Sequence, residues 1–383
     1  MRKKIFLALL FLLLFYAARA QTDSTRADSL LLLQIQNQLQ QQASAPAAPA
    51  RSAASANPDI SAIGDFRINY TSNQKRNFNA ELHEAEISLQ SVVDPYARAD
   101  FFISFSRNAE TGEFGAEVEE GYLTTLSLPG HLQLKAGKFK QMLGKINSVH
   151  PHALFFVDMP NAYVRFFGEE GLNDEGISVS WLLPNHAFFQ ELTLELTDGP
   201  RDNPSFARST ENNYLRLVKL KNFWDLTSNA TLELGLTGVS GANYSQHSTN
   251  IGAVDLTYKW KPVQFNTYKS FTFQNEFYFS RADYLDKTVK SIGWYSLINK
   301  QVSKRTFVTA RYDYTNLPSS KQFVEQAASV TLGWYATEFQ KIELQGKYTT
   351  ANEEDELNNF KKNFSSVFLR WIFVIGTHGA HQY

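Results

Sequence analysis

Two groups of histidines are the residues in this sequence best suited to metal chemistry. His150 and His152 flank a proline, with Asp158 shortly after them, and His378 and His381 lie near the C-terminus. Imidazoles at these spacings can share an ion, but stable zinc sites use three or four protein ligands. The sequence therefore predicts hydrogen-bonded structural histidines and no resident metal or other cofactor. A transient path for divalent cations past His150 and His152 stays open as a hypothesis.

No motif for nucleophilic catalysis is present. His247 and Ser248 are adjacent, but neighbouring residues on a strand point to opposite faces and cannot hydrogen-bond as a dyad. The sequence also lacks GxSxG, HExxH and a glycine-rich phosphate loop. These observations predict that the protein is not an enzyme.

The first twenty residues have the composition of a secretory signal peptide. Basic residues at positions 2 to 4 precede an apolar run over 5–16 and the small-residue site Ala18-Arg19-Ala20, so residues 1–20 are predicted to be cleaved on export. The chain has no cysteine, which excludes a lipidated cysteine and disulfides. Without the signal, 33 basic residues face 38 acidic ones, a net charge of about −5. This balance argues against a nucleic-acid partner.

Aromatic residues are abundant in a chain of low mean hydropathy. The sequence contains 30 Phe, 17 Tyr and 6 Trp, yet its mean hydropathy is −0.32. After the signal, no apolar run approaches the ~20 residues of a membrane helix. A closed membrane barrel combines these properties, since it turns apolar and aromatic residues to lipid and polar ones inward. A soluble, secreted β-sandwich array is the alternative.

The region before residue 59 has a different character from the rest. Residues 21–42 are predicted to form a short helix with an apolar seam of Leu32, Ile35 and Leu39, which would associate with copies of itself. A disordered leader is the alternative. Residues 43–58 form an Ala/Pro/Ser linker without core-forming capacity.

Residues 59–383 are predicted to form an all-β, antiparallel transmembrane barrel. Period-two alternation recurs in segments of ten to fourteen residues, as where Leu192, Leu194 and Leu196 alternate with polar residues. Sandwich strands are usually nearer five or six residues, whereas a bilayer needs longer, tilted ones. Short connections alternate with longer polar ones, and the segments number about sixteen, which places both ends at the periplasmic rim. A barrel of that size leaves an aqueous channel.

The stretch 141–175, between the predicted fifth and sixth strands, is much longer than its neighbours. We expect it to fold inward as a constriction loop, with an ordinary outer loop over the mouth as the alternative. The polar residues of this stretch that are predicted to face the pore are Lys145, His150, His152, Asp158, Arg165, Glu169 and Glu170.

Alternation also assigns charged residues to the lumen. The predicted acids are Glu84, Glu86, Asp100, Glu117, Glu119, Glu191, Glu195, Glu233, Asp255, Glu276, Asp313 and Glu343. The predicted bases are Arg98, Lys135, Lys259, Lys261, Arg311 and Lys347. Because rings of acidic side chains select cations, twelve acids against six bases predict a lumen that prefers cations or neutral solutes.

Three segments carry a family resemblance. Gly137-Lys138-Phe139-Lys140, residues 156–160 and residues 171–177 are similar to the phosphate-selective porins (porins O and P) of Gram-negative outer membranes, over most of 60–383. The resemblance implies a homotrimeric, substrate-guiding channel. Family members with a short N-terminal helix are similar to the layout of this sequence, which favours a trimeric coiled coil in 21–42. The family's arginine ladder and lysine cluster are not found here, so its phosphate selectivity does not transfer.

The C-terminal segment is typical of a closing strand. Val367, Leu369, Trp371 and later odd-numbered residues are apolar, and Tyr383 keeps this register although a polar stretch precedes it. This resembles the insertion signal of outer-membrane barrels. The prediction is therefore a passive outer-membrane porin for small hydrophilic solutes or ions, with lipid as its surroundings. An anion- or phosphate-selective porin is the alternative, followed by a barrel enzyme or structural barrel; residues 21–60 are too few for the plug of an energy-coupled receptor.

Overall fold

The computed structural model describes residues 58–72, 77–107, 113–184, 187–210, 213–262, 264, 268–353 and 362–376. They form a closed antiparallel barrel of sixteen strands, which confirms the predicted fold class and strand number. The strands are β1 (Asp59–Thr71), β2 (Phe78–Asp94), β3 (Ala97–Arg107), β4 (Phe114–Thr125), β5 (Leu132–Lys140), β6 (Asn173–Leu182), β7 (Phe189–Thr197), β8 (Leu215–Thr227), β9 (Ala230–Ala242), β10 (Ser248–Trp260), β11 (Ser270–Asp283), β12 (Thr288–Gln301), β13 (Thr306–Leu317), β14 (Ser320–Thr337), β15 (Gln340–Ala351) and β16 (Asn363–Gly376).

Pairing of the first strand with the last closes the barrel. β1 and β16 run antiparallel from Ser61↔Gly376 to Thr71↔Ser366, and every other strand pairs with its neighbours in the chain. Closure leaves no open sheet edge among the described strands. The backbone amides and carbonyls are therefore bonded between strands, which a hydrocarbon environment requires.

The outer face of the barrel is apolar. Leu194, Val218, Val330 and Leu344 are each 45 to 57% exposed near the middle of their strands. Exposed aromatic side chains lie towards both ends of the strands, among them Tyr70, Phe78, Phe114, Tyr96, Trp181, Trp260 and Trp334. An apolar band between two aromatic girdles is the outer surface of a membrane barrel.

Most connections follow the predicted alternation of lengths. One rim carries the short turns and both ends of the sheet, while the other carries the longer connections, 141–172 and 198–214 above all. Two connections depart most from the rule: 318–319 is a tight turn at the long-loop rim, and 261–269 is a long connection at the short-turn rim. Pro318 accounts for the first, because its fixed φ suits a tight turn and its missing N–H does not suit a strand.

Helical structure is sparse in the described part of the chain. Its α-helix, α1 (Asn161–Phe167), lies within the connection 141–172, and 3₁₀ turns occur at Pro129–His131 and Pro151–Ala153. No helix in the described ranges is long and apolar enough to cross a membrane. The predicted signal 1–20, the helix 21–42, residues 43–57 of the linker, and His378, His381 and Tyr383 lie outside the described residues.

The loss of barrel stability caused by a charged residue on the outer face depends on how deep in the membrane that residue lies. Leu344→Arg places a cation at mid-strand and is expected to destabilise the barrel in lipid by about 2–4 kcal/mol, whereas Ile375→Arg, near the end of β16, should cost about 0–1 kcal/mol. Urea titration of each variant refolded into lipid vesicles measures the difference. Equal costs at the two positions would contradict a lipid-facing band.

Candidate functional site

The connection between β5 and β6, residues 141–172, leaves and re-enters the barrel wall at one point. The Gln141 N–H donates to the Leu172 carbonyl over 2.9 Å, and Lys140 pairs with Asn173. The connection is thus three residues shorter than the predicted 141–175, because residues 173–175 pair with β5 as the start of β6. We call residues 141–172 the β5–β6 loop.

Asn147 holds the two ends of the β5–β6 loop together. Its side-chain amide donates to the carbonyls of Gln141 and Leu172, and its oxygen accepts from the Leu172 N–H and the Tyr163 hydroxyl, at 2.6 to 2.9 Å. The residue is 1% exposed. One buried amide therefore satisfies four polar groups. Three of them are backbone groups of Gln141 and Leu172, which form the neck of the loop.

An apolar core lies inside the barrel. Helix α1 follows Pro160 and ends at Gly168, whose φ of 77° is left-handed. From the loop, Leu143, Ile146 and several rings of α1 are buried against inward-facing wall side chains of β8 to β12, including Leu217, Val239, Ile251, Tyr278 and Tyr295. Part of the inner wall is therefore apolar where it contacts the loop.

Polar contacts fix the first part of the β5–β6 loop to β8, β9 and β11. Lys145 Nζ lies 2.9 Å from Glu233 Oε1, Lys219 donates to the Gly144 carbonyl, and the Ile146 N–H donates to Glu276 Oε1 over 3.0 Å. Gly144 has a left-handed φ of 53°, and a Cβ there would lie 2.1 Å from Glu276 Oε2. Only glycine allows this close approach of loop backbone to the wall.

The later part of the loop binds the wall at β13 to β15. Asp158 accepts from Arg311, Lys347 and Gln345. Burial alone would raise the pKa of Asp158, but the charges of Lys347 and Arg311 lower it well below its usual range. Arg165 Nε lies 2.5 Å from Glu325 Oε2.

Arg370 of β16 reaches three carbonyls of the loop. Its guanidinium donates to the carbonyls of Pro151, Leu154 and Phe156 and pairs with Glu343. Both Arg370 and Glu343 are fully buried. Since the loop also bonds to β2, β4, β8, β9, β11 and β13 to β15, it is attached on all sides of the lumen.

The two loop histidines meet acids of β2 and β4. His150 Nδ1 lies 3.0 Å from Glu86 Oε2, and His150 Nε2 lies 2.9 Å from Glu120 Oε1. The His152 ring stacks on that of His150 with centroids 5.5 Å apart, and its Nδ1 is 4.0 Å from Glu86 Oε2. Burial alone would lower the pKa of His150, but hydrogen bonds to Glu120 and Glu86 raise it to about 10.

A bulge in β4 brings consecutive glutamates into the lumen. Phe102 pairs with Glu120 and Ile103 with Val118, so Glu119 is an extra residue in the strand. Glu119 pairs with Lys140, and Glu120 binds His150. Strict alternation predicts Glu119 and misses Glu120, because a bulge reverses which residues face inward.

The remaining predicted lumen residues have diverse environments. Asp100 is buried and binds the partly exposed Arg98, while Asp313 is buried against Arg311. Glu86 is buried, Glu84 is half-buried, and the Glu117 side chain is 74% exposed beside Lys138. Lys261 lies past the end of β10, at the rim.

Alternation omitted several inward-facing charges. The additional bases are Arg67, Lys140, Lys219, Lys221, Lys341 and Arg370, and the additional acids include Asp65, Glu120 and Glu325. Most of these charges form ion pairs, so the charge counted along the sequence overstates the field that a solute would meet.

Solvent reaches the interior along the β1–β3 wall. On the β1–β3 wall, the side chains of His83 and Arg98 are 43% and 42% exposed. Glu169 and Glu170, after α1, are also exposed, and neither forms an ion pair within the described ranges. Partial removal from water and the nearby charge of Asp158 raise the pKa of Glu169 above its usual value.

Comparison with known proteins relates the fold to outer-membrane channels. No protein-family model matches the chain, so the resemblance to the phosphate-selective porins stays a prediction. A protein of uncharacterised function from Aquifex aeolicus (strain VF5) is 29% identical over 352 residues, covering 81% of this chain and 71% of that protein.

Solved structures share the barrel at low sequence identity. The outer-membrane channel DcaP of Acinetobacter baumannii superposes with a TM-score of 0.57 at 9% identity, over 83% of this chain and 96% of that one. An anion-selective porin of Comamonas acidovorans gives 0.56 at 9%, over 82% and 98%. OmpT of Vibrio cholerae in its trimer form gives 0.55 at 8%, over 83% and 100%. The chain therefore has the fold of the porin-type outer-membrane barrels.

The neck of the β5–β6 loop should loosen when Asn147 is replaced. Asn147→Ala leaves buried backbone groups and the Tyr163 hydroxyl without partners, at about 1–3 kcal/mol for each unsatisfied group. Limited trypsin digestion of the folded protein in detergent should then cut faster at Lys145 or Arg165. Asn250→Ala, which removes an exposed amide, is the matched control. Identical cleavage rates would show that Asn147 does not hold the loop.

Proposed function

We propose that this protein is an outer-membrane porin through which small hydrophilic solutes or ions diffuse passively, and that the β5–β6 loop narrows its pore. The observation that carries the proposal is the attachment of one loop to wall strands around the lumen of a closed sixteen-stranded barrel. Barrels of this size are too wide for wall side chains to fill, so a loop across the interior sets the width of any passage.

The solute path is proposed to follow the β1–β4 wall. The apolar core occupies the opposite side, where loop rings pack on β8 to β12. Accessible charged side chains on the other side are Glu81, His83 and Arg98 of the wall, and Glu169 and Glu170 of the loop. The passage would thus run between loop and wall rather than through the barrel's centre.

A mild cation preference is proposed for this path. Paired charges such as Asp65 with Arg67, and Asp100 with Arg98, largely cancel at a distance. Glu169 and Glu170 are exposed and form no ion pair with described residues, so their charges act on a solute without a partner to offset them. The pore-facing roles of these residues, and of Lys145, His150, His152, Asp158 and Arg165, stay predictions.

Assembly and orientation are inferred from the class of fold. A homotrimer is supported by the trimer form of the Vibrio cholerae OmpT structure and by the predicted helix in 21–42. The position of both sheet ends at the short-turn rim supports an N-terminus on the periplasmic side of a Gram-negative outer membrane.

Anion or phosphate selectivity is the second candidate. It is favoured by the six inward-facing bases that alternation omitted, and by the anion-selective porin among the similar structures. Catalysis has less support: the His247 ring lies 2.7 Å from the Ser245 carbonyl, on an exposed turn.

Removing the loop tests the narrowed pore. Because the loop's ends adjoin, residues 143–170 can be replaced by two glycines, and the barrel is expected to fold with a single-channel conductance at least about two-fold higher. Planar-bilayer recordings measure this, and openings in threes would support the trimer. The control replaces Leu285-Asp286, in a turn at the same rim, by Asn-Gly.

Two outcomes would count against the proposal. Equal conductance with and without the loop would mean that the loop does not set the throat. A folded parent protein that conducts no ions would favour a structural or enzymatic barrel.

The ion preference is tested at the exposed loop acids. Glu169→Gln with Glu170→Gln should lower the cation-to-anion permeability ratio about two- to five-fold, since a unit charge in water at ~4 Å contributes about 1 kcal/mol. Reversal potentials in a salt gradient give the ratio. Asp286→Asn, an exposed rim acid, should leave it unchanged. A parent protein that prefers anions, or phosphate block, would instead support the second candidate.

A further inference from the structure

The histidines of the β5–β6 loop and Glu86 of β2 form a compact set of metal-ligating atoms. One ligand atom each from Glu86, His150 and His152 lies within 4.8 Å of the other two. The Glu86 oxygen is 3.0 Å from His150 Nδ1 and 4.0 Å from His152 Nδ1. All three residues are 3 to 7% exposed. The sequence alone did not reveal this set, because Glu86 is distant along the chain.

These spacings suit a small divalent cation. Zinc bonds of about 2.0–2.1 Å in a tetrahedron place neighbouring ligand atoms about 3.3 Å apart. The two distances from the Glu86 oxygen, 3.0 and 4.0 Å, bracket that value. Since all three atoms lie within 4.8 Å of one another, rotations of their side chains would bring them to bonding distance.

Residues of β4 supply the surroundings that such a site needs. Glu120 accepts a hydrogen bond from His150 Nε2, which directs Nδ1 towards Glu86; a carboxylate behind a ligating histidine is the usual means of orienting it. Glu119 is 6% exposed, and its Oε2 atom has no hydrogen-bond partner among the described residues. Its Oε1 atom, 3.7 Å from His150 Nδ1, places this carboxylate beside the cluster as a further ligand.

The cluster is also rich in carboxylates, which favours a bound cation. Carboxylate oxygens of Glu84, Glu86 and Glu119 lie within 4.8 Å of one another, Glu120 binds His150, and Lys140 pairs with Glu119. Unbalanced buried charge is costly, and a divalent ion would neutralise it.

We propose that Glu86, His150 and His152 bind a divalent transition-metal ion of the zinc type, with Glu119 or water in the fourth position. Imidazole and carboxylate together favour zinc over the hard cations magnesium and calcium. The ion would join the β5–β6 loop to the barrel wall beside the solvent-accessible sector. The site does not depend on what passes through the barrel.

Metal binding to the full protein in detergent tests the proposal directly. After chelator treatment, calorimetric titration with Zn²⁺ is expected to give about one tight ion per chain, and Co²⁺ should show the ligand-field absorption of a four- or five-coordinate site. His150→Ala and His152→Gln should abolish this binding. Glu120→Gln, which alters only the orienting group, should weaken it about 10- to 100-fold.

Matched histidine variants separate this site from other imidazoles. His247→Ala, on an exposed turn, and the double variant His378→Ala with His381→Ala should retain the tight ion. His152→Gln keeps a polar side chain, so it decides the question if His150→Ala does not fold, as judged by circular dichroism. Unchanged affinity and stoichiometry in the His150 and His152 variants, or loss of the ion only in the C-terminal double variant, would overturn the proposal.

Discussion

A loop can lie inside a barrel only if its backbone amides and carbonyls find partners there. Here the wall provides them with charged side chains: Arg370 donates to three loop carbonyls, Lys341 to two, and Glu276 accepts the Ile146 N–H. Charged partners form stronger hydrogen bonds than neutral ones, and an unmet buried carbonyl is expensive. The inward-facing charges of this barrel therefore act first as the binding surface for its own loop.

This arrangement makes the interior unequal from side to side. Towards β8 to β12 the loop packs through rings and aliphatic chains, and Leu217 and Val239 of the wall are as buried as the core of a soluble protein. Towards β1 to β4 the contacts are ionic, and the side chains of His83 and Arg98 are partly exposed. The first side provides rigidity, because close-packed side chains resist displacement, and the second provides the polar groups that a solute would meet.

The sequence predicts the barrel far better than its interior. A two-residue period survives in each strand because lipid demands an apolar outer face, and sixteen segments can be counted from it. The inner face has no such rule. In β8, Leu215 and Leu217 face inward beside the loop and Lys219 and Lys221 follow in the same register, so alternation does not identify the lumen side. The Glu119 bulge shifts the register again, and no local pattern links Asp158 to Lys347, which lies 189 residues away.

The neck at Gln141 and Leu172 has a consequence for biogenesis. Since the loop begins and ends on two strands that already pair with each other, the hairpin of β5 and β6 can form, and the sheet can close, before the loop finds its place. Insertion of the sheet into a membrane and filling of its interior are then separable events in time. The newly closed barrel would pass through a wide, water-filled stage, and the final step of maturation would be an internal docking reaction driven by apolar packing on one side and ion pairs on the other.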